Sequence, residues 1–391
     1  MSDAINHPLN RKLRMALVGG AGAAFIGRVH ATAAQLDSRA ELVAGALSSN
    51  PEKSRAAAPS FGIAEDRAYG SIRELIDAEL ALPADQRIDF VSIATPNFTH
   101  FEIAKASLEA GFNVMCDKPM TTSVEDAEEL VRIVEETGAV FALTHNYTGY
   151  PMIRQARGMI ASGELGDIQA VRCNYIQGWM CGMKPDPNPP RGAWKTDPAK
   201  AGSGSLGDVG THAYNLACYV TGLAAMEVSA NMRSYQPGGV LDDYGHATIA
   251  FGEQQMGTIT FSQISHGRMN DLTLEVDGTK ASLLWRQEQP NELTVRKTGQ
   301  ATQIYERHPS AAYINDLGRA ACRIAGGHPE GFFEAFANIY NSAFDDMILR
   351  ATGGTRVNTK LYPDVRDGAT GVRFVDACQA SSRERGAWKS L

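Results

Sequence analysis

From Leu13 to Thr144 the sequence alternates short apolar runs with amphipathic stretches of helical period, the pattern of parallel strands joined by crossover helices. The apolar runs predict strands over Leu13–Val18, Glu41–Leu47, Asp89–Ala94, Asn113–Cys116 and Val140–Thr144. Between them, helices are expected over Phe25–Leu36, Pro51–Phe61, His100–Ala110 and Val124–Thr137. Ser123 with Asp126 gives the last helix a capping-box start, and Gly138 gives it a stop.

After Tyr150 the period changes. One helix over Met152–Ser162 precedes strands with period-two alternation, such as Thr273-Leu274-Glu275-Val276 before an expected turn at Asp277-Gly278. Further strands are predicted over Ile168–Gln177, Ala225–Ser234, Gly245–Phe251 and Gly257–Ser265. The fold class is therefore α/β, a Rossmann dinucleotide-binding domain followed by an α+β domain with a mostly antiparallel sheet. A length of 391 residues suits two cores rather than one, and the expected domains are residues 1–147 and 148–391, with the last helix able to pack back on the first. Between Trp179 and Gly204 lies a loop carrying Pro185, Pro187, Pro189, Pro190 and Pro198, a candidate binding loop or lid.

A formal charge of -7 without a Lys/Arg stripe argues against a nucleic-acid partner. Apolar stretches fall far short of the roughly 20 residues that span a bilayer, and the polar start MSDAINHPLN lacks a signal peptide's apolar segment, so a cytoplasmic protein with no membrane partner is expected. The six cysteines lie far apart with no CxxC pair, and no metal is expected. Cys116 falls beside a candidate site but is not expected to be a nucleophile.

Four motifs carry the chemistry. Val18-Gly19-Gly20-Ala21-Gly22-Ala23-Ala24-Phe25-Ile26-Gly27 joins the first strand to the first helix, where glycines let a pyrophosphate approach a positive helix end. It departs from GxGxxG, with Ala24 between Gly22 and Gly27 and a loop about three residues too long. At the end of the second strand, where an acidic residue normally holds the adenosine ribose, stand Ser48, Ser49 and Asn50. Such a polar run suits either ribose, so NAD is expected with NADP left open. Ala94-Thr95-Pro96-Asn97 with His100, and Cys116-Asp117-Lys118-Pro119, each follow a predicted strand, the place where open parallel sheets bind ligands. Finally, in Gly207-Asp208-Val209-Gly210-Thr211-His212, a helix beginning near Asp208 would put Asp208 and His212 on one face. A carboxylate that orients a hydroxyl and an imidazole that exchanges its proton need that geometry; a helix cap or half of a metal site are the competing readings.

In this order, the glycine-rich loop, ATPN, DKP and GDVGTH resemble the Gfo/Idh/MocA oxidoreductases, from about Leu13 to the chain's end. ATPN-x-x-H matches that family's nicotinamide-side loop, DKP its EKP motif with Asp for Glu, and Asp208 and His212 its D-x-x-x-H pair; Trp194-Lys195 stand where relatives often carry Trp-Arg. The resemblance implies a C-terminal open sheet that assembles homodimers or homotetramers, and a catalytic set of Lys118, Asp208 and His212. It assigns cofactor binding to Gly19, Gly22, Phe25, Ile26, Gly27, Ser48, Ser49, Thr95, Pro96, Asn97, His100, Asp117 and Lys118. Substrate binding falls to Lys118, Tyr147, Trp179, Trp194, Asp208 and His212.

The expected reaction is oxidation of a ring hydroxyl of a sugar, anhydrosugar, glycoside or inositol-like cyclitol by an NAD(P)-dependent dehydrogenase. His212 accepts the hydroxyl proton and Lys118 stabilises charge on the same oxygen. The alternatives are an NAD-dependent glycosidase with transient oxidation, and a non-catalytic dinucleotide sensor, which would have no need of Lys118, Asp208 and His212 together. From the Ser48-Ser49-Asn50 run, cofactor choice is expected to be weakly enforced. Replacing Ser48 by Asp should suppress use of NADP while sparing NAD in steady-state assays; an unchanged NADP/NAD preference would show that Ser48 does not meet the ribose.

Overall fold

Strands buried on both faces must lie between two layers of helix, and the first part of the chain does this. The computed structural model describes residues 6–21, 25–183, 197–356 and 359–391. The chain forms two compact units, the first of Met1–Thr121, Glu125–Asn146 and Phe336–Ala369, the second of Thr122–Val124, Tyr147–Ala335 and Thr370–Leu391.

The first unit contains β1 (Leu13–Gly19), α1 (Phe25–Gln35), β2 (Ala40–Ala46), α2 (Pro51–Ala57), α3 (Ile72–Ala81), β3 (Phe90–Ala94), α4 (His100–Glu109), β4 (Asn113–Cys116), α5 (Val124–Thr137) and β5 (Phe141–Leu143). Its strands run parallel in the order β2-β1-β3-β4-β5. The order reverses between β1 and β3, which opens a crevice at their carboxyl ends, where Gly19 lies opposite Ala94.

Two helices differ from expectation. The helix expected over Pro51–Phe61 ends at Ala57 and continues as a tighter 3-10 turn over Ala58–Phe61. Pro59 brings no N–H to the helical ladder, and the amide of Ala58 already bonds back three residues to Arg55. Helix α3 was not expected. Its start is legible in retrospect, since the Ser71 side chain accepts from the Glu74 amide just before the buried Leu75 and Ile76.

The second unit contains α6 (Pro151–Ala161), β6 (Ile168–Ile176), α7 (Pro198–Ala201), α8 (Thr211–Thr221), β7 (Glu227–Arg233), β8 (Tyr244–Ala250), β9 (Met256–Ser262), β10 (Asp271–Gly278), β11 (Ser282–Arg286), β12 (Glu292–Arg296), β13 (Gln303–Glu306) and α9 (Asp316–Ala320). Helix α10 (Phe332–Thr352) starts here and passes to the first unit at Phe336; α11 (Val365–Arg383) returns to the second at Thr370, ahead of β14 (Lys389–Ser390). The sheet order is β13-β12-β11-β10-β6-β9-β8-β7-β14, with β6 and β9 the parallel pair among antiparallel neighbours. Along β10, Leu272, Leu274 and Val276 are buried while Thr273, Glu275 and Asp277 are partly exposed, and Arg172 on β6 pairs with both Glu275 and Asp277. The turn expected at Asp277-Gly278 lies slightly later. Asp277 still pairs with Ser282, and the Gly278 amide closes the turn on the Ala281 carbonyl.

Among the described residues no helix is long and apolar enough to cross a membrane.

Beyond β13 the chain is held by a buried ion pair. Arg307 donates to Glu330 at 2.8 Å, with both side chains 1% exposed. The same guanidinium donates to the carbonyls of Ile324, Ala325 and His328, while Glu330 accepts from the Arg323 amide. Removing one partner strands a buried charge, so Glu330→Ala should destabilise the protein by about 3–5 kcal/mol in chemical denaturation. A loss below about 1 kcal/mol, the range of a surface pair, would show that the carboxylate is dispensable.

Candidate active site

At the β1–α1 joint Gly19 and Gly20 have φ of 91° and 94°, left-handed values that side chains disfavour. A Cβ on Gly19 would stand 2.4 Å from the Ala94 carbonyl oxygen, and one on Gly27 would stand 2.4 Å from the Gly20 Cα. The turn is thus seated on the end of β3, and the first turn of α1 is seated on the turn. The Ala21 amide donates to the Leu47 carbonyl at 3.0 Å, bringing the end of β2 alongside. Bare backbone at the start of a helix is the cradle a dinucleotide pyrophosphate requires, so these residues fit the cofactor. Phe25 is 64% exposed and Ile26 partly exposed beside it; Gly22 lies outside the described residues.

The polar run after β2 is a helix entry. Ser48 Oγ accepts from the Asn50 amide at 3.2 Å, and Asn50 caps α2 by accepting from the Lys53 amide at 2.9 Å. Ser49 is exposed.

The carboxyl ends of β3, β4 and β5 gather the next residues. Thr95 accepts from the Thr99 hydroxyl at 2.7 Å, and Pro96 and Asn97 lead into α4. His100 is fully buried, its ring nitrogens 2.8 Å from the Pro119 carbonyl and 2.9 Å from that of Thr95. Expected among the cofactor contacts, it is set between the ATPN loop and the DKP turn, each ring nitrogen facing a backbone carbonyl. Asp117 accepts from the Thr144 hydroxyl at 3.1 Å, and the Thr144 amide donates to the Cys116 carbonyl at 2.9 Å, so β5 braces the turn that carries Lys118. The Cys116 thiol is buried and pushed well above its ordinary value by burial and then by Asp117, the opposite of what activates a nucleophile.

Two buried imidazoles that sequence reasoning missed lie in this unit. His145 follows Thr144 and is pushed down to about 3 by burial and then by the charge of Lys118. His30 on α1 has Nδ1 2.6 Å from the Tyr340 hydroxyl and 3.0 Å from that of Ser92, while its Nε2 lies 4.0 Å from Asp117. Burial holds His30 down to about 4, against the pull of Asp117. The available signal for His145 was its place after a predicted strand, like the residues of the ATPN and DKP motifs.

In the second unit the GDVGTH segment is not plain α-helix. Leu206–Gly210 form a π-helical turn that runs into α8, and such turns widen the helix where function needs a side chain re-aimed. Asp208 accepts from the Gln263 side chain at 2.7 Å. His212 is 7% exposed, its ring edge-on to Tyr147 at 4.9 Å and tilted against Tyr175 at 6.0 Å.

The two tyrosines that pack on His212 belong to a chain of hydrogen-bonded polar side chains. The hydroxyls of Tyr147 and Tyr175 bond to each other; Tyr175 donates to Asn270 Oδ1 at 2.6 Å, and Asn270 Nδ2 donates back to the Tyr147 hydroxyl at 3.2 Å. With Tyr175 donating to Asn270, the proton between the tyrosines comes from Tyr147. Gln177 also donates to Asn270 Oδ1, at 2.8 Å, and accepts from the Trp179 indole at 3.1 Å. The Tyr175 hydroxyl is held well above its ordinary range chiefly by burial, then by Tyr147, with Asp208 adding to the effect. Tyr147 thus packs on His212, Trp179 is tied through Gln177 to the same hydrogen-bonded chain, and Trp194 lies outside the described residues. Tyr175, Gln177, Gln263 and Asn270 were missed. Only Tyr175 left a trace, as a tyrosine on the inward phase of β6.

Residues 13–145 match the family described as "Oxidoreductase family, NAD-binding Rossmann fold" (GFO_IDH_MocA), and residues 153–284 match the "GFO/IDH/MocA C-terminal domain". The oxidoreductase YfiI of Bacillus subtilis is 32% identical over 97% of both chains. Levoglucosan dehydrogenase of Pseudarthrobacter phenanthrenivorans is 30% identical over 73% of this chain and 76% of its own. Among solved structures, an inositol dehydrogenase homolog from Azotobacter vinelandii, complexed with NADH and myo-inositol, superposes with a TM-score of 0.88 at 34% identity, covering 97% of this chain and 98% of that one.

The two depressed histidines set an acid limit on the first unit. Each is neutral when folded but takes up a proton when unfolding exposes it below the ordinary value of 6.5. Their contribution to stability is therefore full above about pH 6.5 and declines as the pH falls toward their folded values of about 4 and about 3. His30→Gln should flatten the loss of unfolding free energy measured between about pH 7 and about pH 5. An unchanged slope would show that His30 is not held neutral.

Proposed function

The chain belongs to the GFO/IDH/MocA family of oxidoreductases and has its NAD-binding Rossmann domain; from that premise we propose that it oxidises a ring hydroxyl of a sugar, anhydrosugar, glycoside or cyclitol to the ketone. The observation that carries this reading is the Asp208–His212 pair, with Asp208 held by Gln263 and His212 packed against the rings of Tyr147 and Tyr175. Relatives that act on levoglucosan, or that are found with myo-inositol, supply the substrate class.

When bound, the nicotinamide supplies the hydride acceptor. In the proposed reaction Gly19, Gly20 and Gly27 give the dinucleotide its backbone seat, and the loops after β3 and β4 flank its nicotinamide end. His212 takes the proton of the substrate hydroxyl through a ring nitrogen. Lys118 donates a hydrogen bond to the same oxygen and opposes the negative charge that develops there. Asp208 orients an adjacent hydroxyl or the imidazole, and Trp179 offers an apolar face to the ring.

A panel of inositols, aldoses and anhydrosugars, followed by absorbance of the reduced nicotinamide, tests the class; release of free sugar without net reduction would favour a glycosidase instead. His212→Ala should lower turnover by about a hundredfold to ten-thousandfold with dinucleotide affinity nearly intact, and Lys118→Ala should do at least as much damage. Because the two are proposed to act on one oxygen, the double variant should be hardly worse than the poorer single one. Free multiplication of the two losses, or collapse of dinucleotide binding in His212→Ala, would overturn the shared-hydroxyl mechanism.

A further inference from the structure

The π-helical turn that carries Asp208 does not hold itself. It is gripped from the entry to β8 by two consecutive aspartates outside the GDVGTH motif. Asp242 accepts from the Gly204 amide at 2.8 Å through one carboxylate oxygen, and from the Leu206 amide at 2.7 Å and the Ser205 hydroxyl at 3.0 Å through the other. Its backbone carbonyl accepts from the Ser205 amide at 2.7 Å. The fit leaves no slack, since a Cβ on Gly204 would stand 1.9 Å from that carbonyl oxygen. The Gly204 carbonyl in turn accepts from the Asp208 amide at 3.1 Å, so a single residue separates the Asp242 carboxylate from the Asp208 backbone.

Asp243 reaches the same place from the other side. Its carbonyl accepts from the Gln263 amide at 2.9 Å, and the Gln263 side chain donates to the Asp208 carboxylate. Asp243 is itself locked, fully buried, with its carboxylate accepting from the amides of Tyr235 and Gln236 and its amide donating to the Arg233 carbonyl. Two successive residues therefore fix both ends of one contact, the backbone turn of Asp208 and the amide that holds its side chain.

We propose that Asp242 is a positioning residue for Asp208, and that Asp242 and Asp243 together form a bracket that sets the Asp208 carboxylate for the reaction. The inference rests on the catalytic reading of Asp208 given above. A carboxylate is required because all three partners of Asp242 are donors; an amide in its place turns an NH2 group toward at least one of them. Displacements of about 1 Å at a reacting group cost on the order of a hundredfold, which sets the scale of the effect.

The test compares Asp208→Asn, Asp242→Asn and the double variant in the full chain, with kcat on the best substrate of the panel, NADH affinity by fluorescence and thermal midpoints. Asp242→Asn should lower kcat by about tenfold to a hundredfold with NADH affinity unchanged. In the Asp208→Asn background the same substitution should lower kcat hardly at all, while its effect on the thermal midpoint is the same in both backgrounds. Should Asp242→Asn fail to fold, Ser205→Ala, which deletes one donor only, should show the same dependence on Asp208 with a smaller loss. A full further loss in the Asp208→Asn background would overturn the positioning role while leaving Asp208 catalytic. Near-normal turnover in Asp208→Asn alone would instead overturn the reading on which the inference rests.

Discussion

A side chain at Gly19 would have to stand 2.4 Å from the carbonyl oxygen of Ala94, and the first unit is organised around that exclusion. With no Cβ, β1 can end in a left-handed bend against the end of β3, and Gly27 can bring α1 down onto Gly20. The strand order reverses at this seam, so the loops after β1, β3 and β4 open in one direction. His100 then ties the second of those loops to the third, and Thr144 ties the third to β5. Each tie uses a backbone carbonyl or a short polar side chain, which holds the loops at fixed spacing without filling the crevice.

The second unit solves a different problem, because its site lies where polar groups are buried. Tyr147, Tyr175, Asn270 and Gln177 are linked by hydrogen bonds, and the rings of Tyr147 and Tyr175 in that set pack against His212. A fully paired network is rigid, whereas a half-paired one would cost more than an apolar core. Asp208 gains its rigidity from elsewhere, from Gln263 and from the bracket at the start of β8. The pair that does the proposed chemistry is thus held by elements on both sides of the sheet's parallel β6–β9 centre.

Much of this is legible in the amino-acid sequence. Period and turn chemistry locate the five parallel strands, and the motifs at their carboxyl ends mark where ligands are expected to bind. The four-residue spacing of Asp208 and His212 points to a shared helical segment, although the turn is π rather than α. Helix α3 carries its own signal, the Ser71 cap followed by Ile72, Leu75, Ile76 and Leu80 at helical spacing, and although not expected it is as open as the others to a local reading. The turn after Gly278 is misplaced by it because Asp-Gly is a strong local signal, yet the pairing of Asp277 with Ser282 extends the strand through it.

The roles of Lys118 and His212 are what the family resemblance implies, while by itself the sequence determined the strand–helix alternation of the first unit, the glycine seat and the four-residue spacing of Asp208 and His212. Those follow from spacing along the chain, which a local rule can read. Tertiary structure decided what holds those residues. Asn270 is 95 residues from Tyr175, Gln263 is 55 from Asp208, and Asp242 is 36 from Leu206; in each case tertiary packing of a strand end against a distant segment makes them neighbours. No local period encodes such contacts, because they join residues at the ends of β8, β9 and β10 to groups far away along the chain.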